Sequence, residues 1–158
     1  DVELVDRFQT EVFARQIEAE QQMAAGFAAQ CATPEKIAML EDIHARLIAA
    51  RDDVVETTKL DTLFHTQIAE AGENRVLSLA REPLALLLYQ AFLQIAPKFP
   101  LAIDRQIEAH SHIVAAIRDK DPDRAREWAR RHIEDFGRSI KIAGLENERP
   151  ISSAKDAL

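Results

Sequence analysis

The stretch Leu60-Asp61-Thr62-Leu63-Phe64-His65-Thr66-Gln67-Ile68-Ala69-Glu70-Ala71-Gly72-Glu73-Asn74 carries the pattern from which the fold follows. Leu60, Leu63, Phe64, Ile68 and Ala71 recur at steps of three and four, the spacing of one helical face. Asp61 and His65 lie four apart on the border of that stripe, so a carboxylate and an imidazole point the same way. Such a pair can share a proton, an ion pair or a metal ion, and the other helices decide which. Gly72 closes the helix and Asn74 is placed to cap the next.

Upstream, the polar run Arg51-Asp52-Asp53 precedes this helix, which spans about 54–71. Before it comes a helix over 34–50, apolar at Ile37, Leu40, Ile43, Leu47 and Ile48. Thr33-Pro34-Glu35 opens it with a cap, a first-turn proline and an acidic residue at the positive end of the helix dipole. Residues 2–30 keep a helical rhythm through Leu4, Val5, Phe8, Val12, Phe13, Ile17, Met23, Phe27 and Ala28, as one long helix or two in line with a bend at Gly26. Downstream, the helix after Asn74 is expected to break or kink at Pro83 and to continue to Ala96 through Leu84-Ala85-Leu86-Leu87-Leu88-Tyr89. That segment is apolar nearly all round, as expected of a central or interface helix. Pro97-Lys98-Phe99-Pro100 turns the chain into a helix over 101–118. Asp121-Pro122 then opens a last helix over 122–143, ended by Gly144. Residues 1–144 thus read as one all-α domain, an antiparallel bundle of six or seven helices. Residues 145–158 are polar and aperiodic and are expected to form a poorly ordered tail.

Composition limits the function. Only four glycines and six prolines interrupt 158 residues, too few for a turn-rich β fold. A net charge of −7 without a basic stripe argues against direct nucleic-acid binding by this segment. Cys31 is the single cysteine, which excludes an intrachain disulfide; a buried or half-buried place for it, and a reducing compartment, are expected. No apolar run reaches the roughly 20 residues of a membrane span, so a cytoplasmic, soluble domain is expected. The opening Asp1-Val2-Glu3, helical from the start and without Met, reads as part of a longer chain.

Two further helices turn a histidine inward. The stripe Ile103, Ile107, His110, Val114, Ile117 includes His110, while His112 falls about 200° round the helix with the charged residues. The stripe Ala125, Ala129, His132, Phe136, Ile140 includes His132. Three imidazoles and the Asp61 carboxylate match the ligand set of a mononuclear divalent site, suited above all to Zn, and also to Ni, Mn or Fe. The alternative is a hydrogen-bonded polar network in the core, because buried imidazoles without partners would cost about 2 kcal/mol or more each. Glu41-Asp42-Ile43-His44 gives a Glu-x-x-His pair once only, whereas di-iron bundles use it twice, so His44 is expected at the surface. No nucleophile elbow, phosphate-binding loop or zinc-finger spacing occurs.

Asp61-x-x-Phe64-His65, then Asn74, then His110-x-x-Ile113-x-x-Ala116-Ile117 followed by Asp121, and finally His132 in an Ala-rich helix resemble the C-terminal domain of FadR-type regulators in the GntR superfamily. The resemblance covers about 34–143, with Ala28-Ala29 fitting the end of the family's first long helix. It implies an all-helical, dimer-forming domain behind an N-terminal winged helix-turn-helix that is absent from this chain. It implies a small organic or sugar acid as effector, whose binding alters operator affinity of a homodimer. In the metal-containing branch it implies ligands at Asp61, His65, His110 and His132, with the effector carboxylate at the metal's open positions. The family often carries an Arg and, four residues on, a Glu on the first helix. That register falls here on Ile17 and Gln21, with Arg15 and Glu18 displaced from it. Arg15, Arg81 and Tyr89 are the candidate effector contacts.

The leading expectation is therefore an effector-sensing domain of a transcription regulator, reaching DNA only through the absent domain. A mononuclear metal-dependent hydrolase or lyase would use the same four ligands, since a metal with open positions can generate hydroxide. A metal-free bundle serving only association is the third possibility. The segment around Leu84 to Leu88 and the first long helix are the two candidate dimer faces.

Overall fold

The computed structural model describes residues 2–145. They form helices α1 (Val2–Cys31), α2 (Pro34–Ala49), α3 (Val54–Ala71), α4 (Arg75–Lys98), α5 (Leu101–Arg118) and α6 (Pro122–Ile142), with no strand among the described residues. This is the expected all-α bundle. Most of the expected tail, 146–158, lies outside the described residues, whereas Leu145 at its head is buried with Phe92, Ile95 and Ala96 of α4.

Local chemistry sets most helix starts. Thr33 accepts from the Lys36 amide at 3.4 Å, Asp53 from Glu56 at 3.0 Å, and Asp121 from Arg124 at 3.0 Å. Asn74 accepts from both Val76 and Leu77, at 3.1 and 3.3 Å. Each cap satisfies amide donors that the first helical turn leaves free, worth about 1 kcal/mol. α5 has no side-chain cap, because Pro100 occupies that position.

The glycines and prolines act as follows. α1 is one helix that runs unbroken through Gly26, where an added Cβ would lie 2.5 Å from Arg126 Nε, so the glycine leaves room for the α6 guanidinium. α4 is continuous through Pro83 and Pro97 and bends by 45° between Arg75–Leu86 and Leu88–Lys98. Gly72 closes α3 as expected, with right-handed backbone angles (φ −74°), and an added Cβ there would meet Phe27 Cβ at 2.8 Å, so it also serves the close approach of α3 to α1. The left-handed residue after this cap is Glu73, at φ 55°.

α1 packs along α6 and also touches α3, α4 and α5, while α2 packs on α3 and α5. Ala24, Ala25, Ala28 and Ala29 of α1 share one apolar cluster with Ala125 and Ala129 of α6, side chains small enough for a close approach of the two helices. That cluster also takes in Leu40, Ile43, Phe64, Ile68, Ile113 and Ile117. A second cluster gathers Phe92, Ile95, Ala96, Ala102 and Ile103, with Ile107, Phe136 and Ile140 packed against it. Met23, Ile48 and Leu63, read as stripe residues, are exposed. Cys31 is exposed as well, at the last turn of α1. No single helix among the described residues is long and apolar enough to cross a membrane.

Candidate metal centre

Between the two apolar clusters, α3 contributes Asp61 and His65, α5 contributes His110 and α6 contributes His132. One ligand atom from each lies within 4.8 Å of all the others. His65 Nε2 is 3.2 Å from His132 Nε2 and 3.2 Å from His110 Nε2. Asp61 Oδ1 lies 3.5 Å from His65 Nε2 and 3.4 Å from His110 Nε2. Ligand atoms bound about 2.0–2.1 Å from one ion at tetrahedral or octahedral angles stand about 3.0–3.4 Å apart. The spacing and donor set fit a divalent cation.

Protons alone fit the arrangement less well. A neutral imidazole nitrogen either donates or accepts, and His65 Nε2 faces two other Nε2 atoms and a carboxylate oxygen at once. One hydrogen cannot serve three partners well, whereas a cation accepts all four lone pairs. Burial pushes His65 and His110 well below the usual imidazole range; the charge of Arg81 adds to it at His65, and neighbouring His132 and His65 at His110. His132 is lowered to about 4, by burial first and His65 second. All three are neutral at pH 7, the form in which imidazole ligates metal.

The helices hold these rings by packing. Phe64 is fully buried and stacks on His110 with centroids 4.1 Å apart. His44, expected at the surface, is half-buried: its Nε2 lies 3.1 Å from the Ile107 carbonyl oxygen and its ring is tilted against Phe64. It joins the packing around the centre, not its ligands. His112 lies away from them, stacked on Trp128 at 3.8 Å.

Sequence reasoning missed Gln106. Its amide nitrogen donates to Asp61 Oδ1 at 2.5 Å, orienting the carboxylate, while its own Oε1 is buried without a partner. The signal was available, since Gln106 sits four residues before His110 on the same face. Of the candidate effector contacts, Arg15 is exposed, Tyr89 half-buried and Arg81 buried at 2% exposure. Glu20 and Gln21 of α1, also unforeseen, are buried too. A hollow of about 10 Å³ beside the centre is lined by Gln106, His132, Asp135 and Phe136 among others. A larger one, about 310 Å³, lies elsewhere, where Arg51 and Asp104 already pair with each other. The convergent donors, not the larger hollow, mark the site.

A family model described as the FCD domain matches residues 18–135, a span containing all four ligand candidates. The chain belongs to the FCD domain family. FCD domains are the C-terminal domains of GntR/FadR-type transcription regulators. Among curated proteins the chain is similar to the "Glc operon transcriptional activator" of Escherichia coli strain K12 and of E. coli O6:H1 strain CFT073. Each is 26% identical over 142 residues, covering 83% of this chain and 55% of the relative. The chain thus spans about half the length of the curated relatives it matches. The FCD match leaves Arg15 outside it and includes Glu20, Gln21, Arg81 and Gln106.

Proposed function

We propose that this FCD domain is the ligand-sensing part of a transcription regulator, holding one divalent metal at Asp61, His65, His110 and His132 and binding a small carboxylic acid there. The convergence of four ligand atoms within 4.8 Å carries the reading. When bound, such an ion, Zn first among the candidates, supplies residual positive charge and open coordination positions that suit a carboxylate. The chain's own residues do the rest. The three histidines present neutral nitrogens, Asp61 brings one compensating charge, and Gln106 fixes the Asp61 carboxylate.

The ligands come from three helices, so occupancy of the centre ties α3, α5 and α6 together. In the homodimer we propose, with DNA-binding domains outside this segment, an acid that binds one arrangement better than another alters operator affinity. A preference of about 1.4 kcal/mol shifts that equilibrium tenfold. Family membership and the two activator relatives favour sensing over turnover, and the reading of the domain as cytoplasmic follows from the same role.

Elemental analysis of protein purified without chelator or His tag tests the centre, with His132→Ala beside it. About one equivalent of metal per chain, lost in the variant, is the expected result. Under about a tenth of an equivalent, with no uptake of added Zn, Ni or Mn, would sink it.

A further inference from the structure

We propose that the ion pair between Arg105 of α5 and Asp135 of α6 is the gate through which the metal ion enters and leaves its centre. The proposal rests on the metal reading above and adds to it a path and the residues that govern exchange.

Of the four ligand candidates, the side chains of His65 and His110 are sealed at 4% and 0% exposure, while Asp61 is 15% exposed and His132 half-buried, so an ion arrives on the side of the last two. The hollow of about 10 Å³ lies there. Two of its lining residues belong to the centre: His132, and Gln106, which holds the Asp61 carboxylate. A third, Asp135, follows His132 by three residues on the same face of α6 and is 18% exposed, so its carboxylate connects the hollow with the surface. Two arginines hold it. Arg105 reaches across from α5 as a fork, Nε donating to Oδ2 at 2.6 Å and Nη2 to Oδ1. Arg138, on α6 itself, donates to Oδ1 from Nε and Nη2 at 3.1 and 2.9 Å. Of the two, only Arg105 ties α5 to α6.

A hollow of this size holds about one water molecule, so a cation that keeps any of its water shell passes only when α5 and α6 part at this level. The crossing bond suits a gate. Two charge-assisted hydrogen bonds fix its geometry, and the half-exposed position of Arg105 keeps it weak, so it breaks often without unfolding either helix. Closed, the Arg105 guanidinium neutralises Asp135 and repels an incoming cation. Open, it leaves a carboxylate facing both water and hollow, an oxygen donor that replaces part of the shed water. An ion that has passed meets the same four ligands whether the pair is intact or not, so the pair sets both rates of exchange and not their ratio.

The test is stopped-flow zinc uptake by metal-free protein and zinc release to excess chromophoric chelator, with the dissociation constant measured separately by competition. Arg105→Gln should speed uptake and release alike by roughly two- to fivefold, the factor by which an exposed pair shifts an opening equilibrium, and leave the dissociation constant unchanged. Arg138→Gln, which takes bonds from the same carboxylate without freeing α6 from α5, should exchange at native rates. Release from the native protein should also quicken with added salt, which screens the pair, and release from Arg105→Gln should not. If Arg105→Gln does not fold, Arg105→Lys, with the charge but not the fork, should give the same acceleration in smaller measure. Native rates in the Arg105 variant, or equal acceleration in the Arg105 and Arg138 variants, would overturn the gate and leave the metal centre standing. Faster release together with a weaker dissociation constant would make the pair a support of the centre and overturn the gate as well. A native protein that takes up no zinc would bring down the parent reading and this one together.

Discussion

α5 passes through two kinds of interior within five turns. Ala102 and Ile103 lie in one apolar cluster, Ile113, Val114, Ala116 and Ile117 in the other, and between them Gln106 and His110 are equally buried but polar. α6 runs through the same layers in reverse, from Ala125 and Ala129 through His132 to Phe136 and Ile140. The apolar layers are closed by contact alone. Eight buried side-chain atoms, on Glu20, Gln21, His65, Arg81, Gln106 and His110, find no partner, and among the described residues such atoms occur on no others. At about 1–3 kcal/mol each they would rival the 5–15 kcal/mol by which a domain is usually stable. The apolar layers stabilise the fold, and the unmet atoms are what the proposed ligands would satisfy.

Phe64 joins the two regions and should give the largest effect. It is fully buried in one apolar cluster and stacks on His110 in the polar layer. Phe64→Ala should destabilise chelator-treated protein by about 3–5 kcal/mol, read from the urea unfolding midpoint, and should also lower zinc uptake. A loss under about 1 kcal/mol would mean that the layers are packed independently of this ring.

Next in size is occupancy of the polar layer itself. Free zinc at a hundred times its dissociation constant should stabilise the native chain by about 2.7 kcal/mol, and chelator should reverse the shift. His65→Ala should remove the response while leaving the apolar layers folded. Equal shifts in native protein and variant would place the zinc effect outside the layer.

How far the sequence disclosed each layer follows from the range of the forces involved. Helix starts were legible at Thr33, Asn74 and Asp121 because a cap acts within three residues. The four ligand candidates were legible because polar side chains interrupt stripes of period 3.6. Gln106 was passed over on the same stripe as His110, as an amide without charge or metal affinity of its own. Arg81, Glu20 and Gln21 depend on which way α4 and α1 face after packing, and long polar side chains more often reach water. The half-burial of His44 and the exposure of Cys31 are likewise decided by neighbours distant in sequence. So is the course of α4, whose periodicity persists across Pro83 and cannot distinguish a bend from a break.

An apolar layer responds to volume and should be indifferent to metal. Ala125 is fully buried in the cluster that α1 and α6 share. Ala125→Leu should overpack it, costing about 1–3 kcal/mol in urea unfolding, with zinc stoichiometry unchanged. A variant that lost zinc as readily as stability would show the two regions to be one cooperative unit.

The smallest effect on stability is expected where a polar group serves binding alone. Gln106 spends one amide hydrogen on Asp61 and leaves its buried Oε1 without a partner. Gln106→Leu removes the bond together with the unmet acceptor, and the two contributions of about 1 kcal/mol each oppose one another. The unfolding midpoint of metal-free protein should therefore move little. Zinc affinity should not be spared, because a ligating carboxylate that loses its orienting partner typically gives up about ten- to a hundredfold. Competition titration against a chromophoric chelator measures this directly. A fall in affinity without a fall in stability would separate binding from folding within one residue. A fall in both would make Gln106 part of the scaffold and draw the boundary between the layers one turn closer to His110.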